Sequence, residues 1–552
     1  MTPGSGAGNR SAWLALGGAA AVLAGLQFTT PNLVGIDSYF HIRYAAVIRD
    51  AGLRHFPPPF PWLPLTILAP DRYADHHMLY HLLLVPFAVG DLRLGGKLAA
   101  VFWAVAFVAA FVWFLRRTQV ALPDLAVLAL GASSADFLFR LSMTRVQAAS
   151  LLCLVLGFHC AVQHRHLALA GLACVYTWLY DGFPLLLVPI VGVMGAEVVT
   201  ERRLRPGILV AALAGMMVGL VANPYFPEYF RFIVHHMGDK LVEHETLHIG
   251  HEWDPYDPLG LIGNVLVSMV FVAFGVAALG EGRWRTARVE LAALAMAAVF
   301  FALTLRSQRF VEYFAPTATL FVAIAGAPVV ARFGVWQRRA LIAALATVLI
   351  ANVAGVGSML MHRNAKTPYD RYAPAARLVA REAPPGAMLC TTDWDDFPLL
   401  YFFDVDSTYL IGLDPTYLRD RFRDAYWDWV DASNGKVPRP SDVFAGKLPC
   451  AYVMSDHEHV GFLDLAAKDP GLEQVLADDQ LVLYRVRRDG SPPVYPTAPT
   501  APLTTSCVSD DGARVDCVQR RAGLSTGVQS GQGGPQCSDR RRESSAQSWP
   551  RS

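Results

Sequence analysis

The sequence predicts a multi-span α-helical membrane protein with a water-soluble α/β region after its last span. Three observations carry this reading. Of 552 residues, 53% are hydrophobic and only 17% are charged, against about a quarter charged in a soluble protein of this size, and the mean hydropathy is +0.33. Apolar runs of about 17–25 residues, each long enough to cross a bilayer as a helix, recur about eleven times. After residue 361 the pattern changes to short alternating strands and helices. The formal charge of +1 gives no basic field of the kind that nucleic acid requires. No CxxC or other metal spacing occurs among the eight cysteines, which argues against a zinc site.

The runs fall at 12–34, 96–115, 121–138, 146–163, 166–179, 183–199, 207–222, 258–280, 288–305, 313–332 and 340–361. The fifth and sixth are joined closely around Tyr180-Asp181-Gly182. The first follows Arg10 and has the position of a signal peptide, but it is long for one and lacks an A-x-A site before Gly35. It reads as an uncleaved signal anchor. Positive residues mark five loops: Arg116-Arg117, His164-Arg165-His166, Arg202-Arg203-Arg205, Arg283-Arg285-Arg288 and Arg338-Arg339. Placing all five in the cytoplasm lets eleven spans alternate from an inside N-terminus. Segments 35–95, 223–257 and 306–312 then share the outer face, with His77–Val89 as an apolar helix on the membrane surface.

Residues 1–361 are thus read as the membrane domain and 362–487 as an extracytoplasmic α/β domain. Within the latter, AARLVAREA, LRDRFRDAYWDWV and FLDLAAK read as helices. AMLCTTD, TYLIGLD, CAYVMSD and QLVLYRV read as strands. Cys390 and Cys450 are able to pair if this region lies outside the cytoplasm. Residues 488–552, rich in Pro, Ser, Gly, Arg and Gln, read as a disordered tail.

Charges beside a membrane span are costly and mark candidate function. GIDSYFHIR places Asp37 at the end of the first span, followed by Tyr39, His41 and Arg43; a snorkelling interface cluster is the plainer reading. In ADHHMLYH, Asp75 and His77 lie two apart and can reach one cation while the chain is extended. Asp75 is equally able to cap the helix that follows, and His81 lines the same helix face. Segment 223–257 is rich in histidine and acids, with Glu252 beside Trp253 nearest the return into the membrane. RSQRFVEYF brings Arg306, Arg309 and Glu312 to a span boundary, where arginine can pair with phosphate. Arg140 and Arg145 face the same side.

Together these features resemble the GT-C superfamily of membrane glycosyltransferases, most closely the catalytic subunit of oligosaccharyltransferases. The likeness covers 12–487 and rests on Asp37 in GIDSYFHIR, the Asp75-His76-His77 triplet, Glu252 in an outer loop and Arg309 in QRFVEY. It departs from that family in the place of the DHH triplet and in having two spans fewer than thirteen. The WWDYG acceptor motif has only the counterpart Asp393-Trp394-Asp395-Asp396-Phe397. The resemblance implies a divalent metal ion, Mn or Mg, held by Asp37, Asp75 and His77, with Asp37 and Glu252 as catalytic residues. It implies phosphate binding by Arg309 with Arg306, and acceptor binding by Trp394 and Asp395. The expected reaction moves a sugar or oligosaccharide from a polyprenyl-phosphate or -pyrophosphate carrier to a protein, lipid or glycan acceptor. The expected setting is the bilayer of a bacterial plasma membrane, with no nucleic-acid partner. The alternatives are a metal-independent GT-C transferase acting on a lipid or polysaccharide, with Asp37 as sole base, a flippase for lipid-linked sugars, and a receptor-like scaffold. A flippase calls for internal repeats and mid-membrane polar residues, of which only Asp181 stands out.

Overall fold

The computed structural model describes residues 5–120, 122–242 and 251–488, with the backbone of 507–508 and 514–515. Most of the expected tail, and Glu243 and Glu245 of the long loop, lie outside the described residues. Residues 1–497 form one compact unit and 498–552 a second. In the second, Cys507–Val508 pairs antiparallel with Arg514–Val515.

Helices occupy every expected apolar run. In order they are α1 (Ser5–Gln27), α2 (Asp37–Ala51), α3 (Met78–Leu84), α4 (Leu92–Arg117), α5 (Pro123–Ala132), α6 (Ala135–Leu141), α7 (Gln147–Val162) and α8 (His166–Leu179). There follow α9 (Leu187–Glu201), α10 (Gly207–Val221), α11 (Glu228–Val242), α12 (Pro258–Arg283), α13 (Arg288–Arg306), α14 (Val311–Ala325), α15 (Ala327–Ala331) and α16 (Val335–Lys366). Among the described residues five helical segments are long and apolar enough to cross a membrane: Leu92–Arg117, Phe183–Glu201, Pro258–Gly280, Arg288–Arg306 and Val335–Lys366. The apolar window of α12 is only 17% buried and that of α16 only 11%, so these helices turn most of their hydrocarbon outward. That is stable against lipid and not against water. At seven residues, α3 rises about 10 Å, too little to span.

The third expected run is not one helix. Ser133 and Ser134 interrupt it: Ser133 Oγ donates to the Leu130 carbonyl (2.7 Å), and Ser134 Oγ accepts from the Phe137 N–H (3.2 Å) and starts α6 anew. The seam between α8 and α10 depends on small residues. A Cβ on Gly215 would lie 2.1 Å from the Ala170 carbonyl oxygen, and one on Gly219 2.8 Å from that of Cys174.

At one pole of the bundle the fully buried Glu197 accepts from His164 (2.6 Å), Arg205 (3.2 Å) and Arg288 (3.1 Å). Three of the five basic loops therefore meet at one carboxylate. Away from it, segment 35–95 is stitched to the C-terminal region. Trp62 Nε1 donates to the Val405 carbonyl (2.7 Å), Tyr409 N–H to the Trp62 carbonyl (2.7 Å), and Ile67 N–H to the Tyr417 carbonyl (3.0 Å). Phe40 of α2 packs on Phe397 and Tyr401.

The C-terminal region contains α17 (Ala373–Glu382), β1 (Met388–Thr391), α18 (Phe397–Phe403), β2 (Thr408–Tyr409), α19 (Thr416–Arg421), α20 (Arg423–Ser433), α21 (Ser441–Phe444), β3 (Cys450–Asp456), α22 (Val460–Ala466), β4 (Leu472–Ala477) and β5 (Leu481–Val486). The sheet order is β2-β1-β3-β5-β4. β1 runs parallel to β2 and β3, while β5 is antiparallel to β3 and β4. Each expected strand and helix has a counterpart; α18, α21 and β4 are additional. Cys390 and Cys450, on neighbouring strands, form a disulfide with 5.8 Å between Cα atoms.

Candidate active site

The site is assembled where loops from distant parts of the chain close over the ends of the helices. Gly35 adopts φ +78°, a left-handed turn that favours glycine, and Asp37 then opens α2 with its carboxylate in the first turn, where the helix dipole favours an anion. Two short 3₁₀ turns, His251–Trp253 and Gln308–Phe310, are joined by Gln308 N–H to the Asp254 carbonyl (2.9 Å) and Ser307 Oγ to the Glu252 carbonyl (3.0 Å). Glu252 is thereby fixed from both sides.

Three arginines converge on its carboxylate. Arg309 donates at 2.9 Å, Arg145 at 3.2 Å, and Arg140 through both terminal nitrogens at 3.3 and 3.4 Å. Arg145 also pairs with Asp37 (3.4 Å), Arg140 with Glu312 (3.5 Å), and Arg309 donates to the Tyr180 hydroxyl (3.4 Å). The Arg309 guanidinium lies 4.7 Å from the Trp253 ring centre, a cation–π contact. Burial pushes the Glu252 carboxyl up, but Arg309, then Arg145 and Arg140, outweigh it and hold it well below the usual carboxylate range. Removing charges from water is tolerated only with this degree of pairing. Arg140, Arg145 and Arg309 are thus gathered in one group with Asp37, Glu252 and Glu312.

Beside it lies a cavity of about 110 Å³ lined by Asp37, His41, His77, Arg145, Tyr180, Asp181, His236, Glu252, Arg309 and Trp394, among others. Of the residues that the sequence singles out, Asp37, His77, Glu252, Arg309 and Trp394 come together here. Arg306, at the exposed end of α13, does not line the cavity. Asp395 does not line the cavity; it is half-buried near Asp393, Asp396 and Asp456, where burial and then Asp393 push its carboxyl well up. Arg140 and Arg145 belong to the centre of the site. Asp181 and His236, 3.4 Å apart, also reach the cavity; only the interruption of two apolar runs at Tyr180-Asp181-Gly182 pointed to the former.

Asp75 is committed inside the protein. It is 2% exposed, its Oδ1 accepts from the His77 N–H (2.9 Å), and its Oδ2 pairs with His81 Nδ1 (2.7 Å). Its contact with the His77 N–H lies before α3, which begins at Met78 without a side-chain cap. His77 Nδ1 is buried without a hydrogen-bond partner, and its ring stacks on Tyr180. Among the described residues no three His, Cys, Asp or Glu side chains are grouped to hold a metal ion. Of Asp37, Asp75 and His77, the first and last line the cavity, while both oxygens of Asp75 accept hydrogen bonds behind it.

A second cavity, of about 250 Å³, lies against α6 and is lined almost wholly by apolar side chains of α1, α5 and α6, including Val22, Leu23, Leu130, Phe137, Leu138 and Leu141. The same short helix thus offers Arg140 to the charged centre and leucines to an apolar hollow.

No protein-family model and no curated protein sequence matches the chain. Solved structures do. The Archaeoglobus fulgidus oligosaccharyltransferase in the apo form superposes with a TM-score of 0.57 and 13% identity, over 87% of this chain and 75% of that one. ArnT from Cupriavidus metallidurans bound to undecaprenyl phosphate gives 0.55 and 15%, over 86% and 97%. The archaeal oligosaccharyltransferase AglB, in complex with an inhibitory peptide and a dolichol-phosphate, gives 0.54 and 12%, over 87% and 74%. The chain shares the fold of these proteins.

Proposed function

We propose that the protein is a membrane glycosyltransferase that moves a sugar or oligosaccharide from a polyprenyl-phosphate or -pyrophosphate carrier to an acceptor on the outer face of the membrane. The observation that carries the reading is the convergence of Arg140, Arg145 and Arg309 on one carboxylate, with an apolar hollow on the other side of α6. Charge-assisted donors suit a lipid phosphate, and the hollow suits the first units of its hydrocarbon tail. The fold shared with an oligosaccharyltransferase and with an undecaprenyl-phosphate-bound protein supports the same class of donor.

In this reading all eleven apolar runs are spans. The meeting of three basic loops at Glu197 supports one cytoplasmic pole, and the Cys390–Cys450 disulfide supports an extracytoplasmic C-terminal region. The donor phosphate displaces Glu252 from Arg309 and Arg145, and the arginines stabilise negative charge as the sugar leaves. Asp37, at the cavity wall, accepts the proton of the acceptor nucleophile. Trp394 forms part of the acceptor side. Glu252 holds the arginines in register until the donor arrives.

The test is sugar transfer by purified protein from polyprenyl-phosphate and -pyrophosphate donors, with Asp37→Ala beside wild type. A general base contributes about 10²–10⁴-fold, so the variant should lose at least about a hundredfold in turnover. Equal turnover would remove Asp37 from the chemistry. Running both proteins with and without EDTA separates transfer by the arginines alone from transfer assisted by a divalent ion.

A further inference from the structure

One carboxylate of the cavity takes no part in the reaction as described. Tyr180-Asp181-Gly182 joins α8 to a 3₁₀ turn, Phe183–Leu186. Tyr180 is extended, at φ −160° and ψ 137°, and the Phe183 N–H returns to its carbonyl (3.1 Å). A Cβ on Gly182 would lie 2.1 Å from the Tyr180 ring, so the glycine leaves room for that ring beside the turn. Two adjacent residues, Tyr180 and Asp181, thereby both reach the cavity, and they face different parts of it. The Tyr180 hydroxyl accepts from Arg309 (3.4 Å), on the phosphate side. The Asp181 carboxylate faces His236 Nε2 at 3.4 Å, and His236 Nδ1 lies 3.5 Å from the Tyr417 hydroxyl.

The other acids that line the cavity have donors to hold them. Glu252 has three arginines and Asp37 has Arg145. Asp414 accepts from the N–H and the hydroxyl of Thr416 (2.9 and 2.6 Å). Asp181 has no hydrogen-bond donor and no lysine or arginine partner among the described residues; its one ionic contact is the His236 ring, and its side chain is 13% exposed. A carboxylate so withdrawn from bulk water keeps about four lone-pair positions that call for donors, and the space before it is the cavity. A phosphate is repelled there and is held by the arginines instead. A sugar fits: two neighbouring hydroxyls match the two carboxylate oxygens, and the rings of Phe40, Tyr180, Trp394 and Tyr417, which also line the cavity, suit its C–H faces. Consecutive Cα atoms are about 3.8 Å apart, so Asp181 lies one residue beyond the group that touches the phosphate-binding arginine, where the first sugar of the donor belongs.

We propose that Asp181 binds the donor sugar, accepting hydrogen bonds from two neighbouring hydroxyls of the ring attached to the carrier phosphate. This makes the donor a neutral sugar with those hydroxyls free, and it rests on the transferase reading. A uronic acid in the same place sets carboxylate against carboxylate. Asp181 takes no proton; that role stays with Asp37.

The test reads binding and needs no acceptor. Undecaprenyl phosphate and its glucosyl, galactosyl, mannosyl, arabinosyl and glucuronosyl derivatives are titrated calorimetrically into wild type, Asp181→Asn and Asp181→Ala in detergent, with thermal unfolding of the same samples. At least one neutral derivative should bind wild type about tenfold or more tighter than undecaprenyl phosphate, the worth of a hydrogen bond to a charged group, and the glucuronosyl derivative should gain nothing. Both variants should lose that advantage and bind undecaprenyl phosphate as wild type does. Asp181→Asn keeps the side-chain shape, so its loss reports the carboxylate and not a collapsed turn. Equal binding of every neutral derivative by wild type and both variants overturns the proposal. So does a preference for the glucuronosyl derivative, or an equal loss of undecaprenyl phosphate, which a merely structural role would produce. In these three cases binding of undecaprenyl phosphate to wild type leaves the transferase reading standing. Failure of undecaprenyl phosphate and of every derivative to bind wild type removes both.

Discussion

Arg309→Ala is the sharpest perturbation of the charged centre, because Arg306, three residues away, supplies its own control. Arg309 donates to Glu252 at 2.9 Å and to Tyr180 at 3.4 Å. On donor binding its guanidinium exchanges the glutamate for a phosphate. A hydrogen bond to a charged group contributes about 1.5–3 kcal/mol, and about 1.4 kcal/mol is a factor of ten. The lost phosphate contact therefore predicts binding weaker by about tenfold to a hundredfold. Glu252 keeps Arg140 and Arg145, so the stability loss should stay near about 1–2 kcal/mol. Arg306 is exposed and outside the cavity, and Arg306→Ala should change affinity by no more than about twofold. The assay is calorimetric titration of undecaprenyl phosphate into each protein in detergent, with thermal unfolding of the same samples. Equal affinity in Arg309→Ala and wild type, or an equal loss in Arg306→Ala, would refute the assignment of the phosphate to the Glu252 centre.

Three further outcomes follow from the same geometry. Glu252→Gln removes the anion that competes for the arginines, so undecaprenyl phosphate should bind several-fold tighter while stability falls by about 3–5 kcal/mol, the cost of breaking a buried ion pair; unchanged affinity would show that Glu252 does not compete. Burial and then Asp393 push the Asp396 carboxyl up to about 7. A folded value raised above the unfolded one gives stability that is full below the unfolded value and lost as pH rises through about 7, by up to about 1.4 kcal/mol per pH unit. Unfolding temperature should therefore drop between pH 5 and pH 8, and Asp396→Asn should flatten the drop; a wild type as stable at pH 8 as at pH 5 contradicts this. The Cys390–Cys450 disulfide joins residues 60 apart in sequence, a loop whose closure stabilises by about 4 kcal/mol in the chain-entropy model. Because both cysteines are fully buried, reductant should act only on unfolded protein, and the double alanine variant should melt lower; a melting curve equal to wild type would place the stability elsewhere.

Asp37 and Arg309 were legible in the sequence because charge beside an apolar run is costly and stands out, whereas Glu252, one of several acids in a segment rich in histidine and acids, was singled out mainly by the resemblance. Their partners were not legible. Arg140 and Glu252 are 112 residues apart, and no local pattern says which of several acids a given arginine will meet. The same limit explains Arg306 and Arg309, which have identical chemistry and differ only in that α13 ends between them. It explains Ser133-Ser134, two small polar residues that a continuous apolar run absorbs in the sequence, but whose hydroxyls end one helix and begin another. The case of Asp75 is more instructive. Spacing put Asp75 and His77 within reach of one cation, and assigned His81 only a place on the same helix face. Folding instead turns Asp75 toward His81, six residues on, and passes the contact across to α2 through His41, 40 residues back. A short acidic and histidine-rich motif therefore specifies a set of donors and acceptors, but the direction in which they face is decided by the element packed against them. Here that element is α2, which also carries Asp37, so the buried triad and the cavity carboxylate are set by one helix and respond together to any change in its packing.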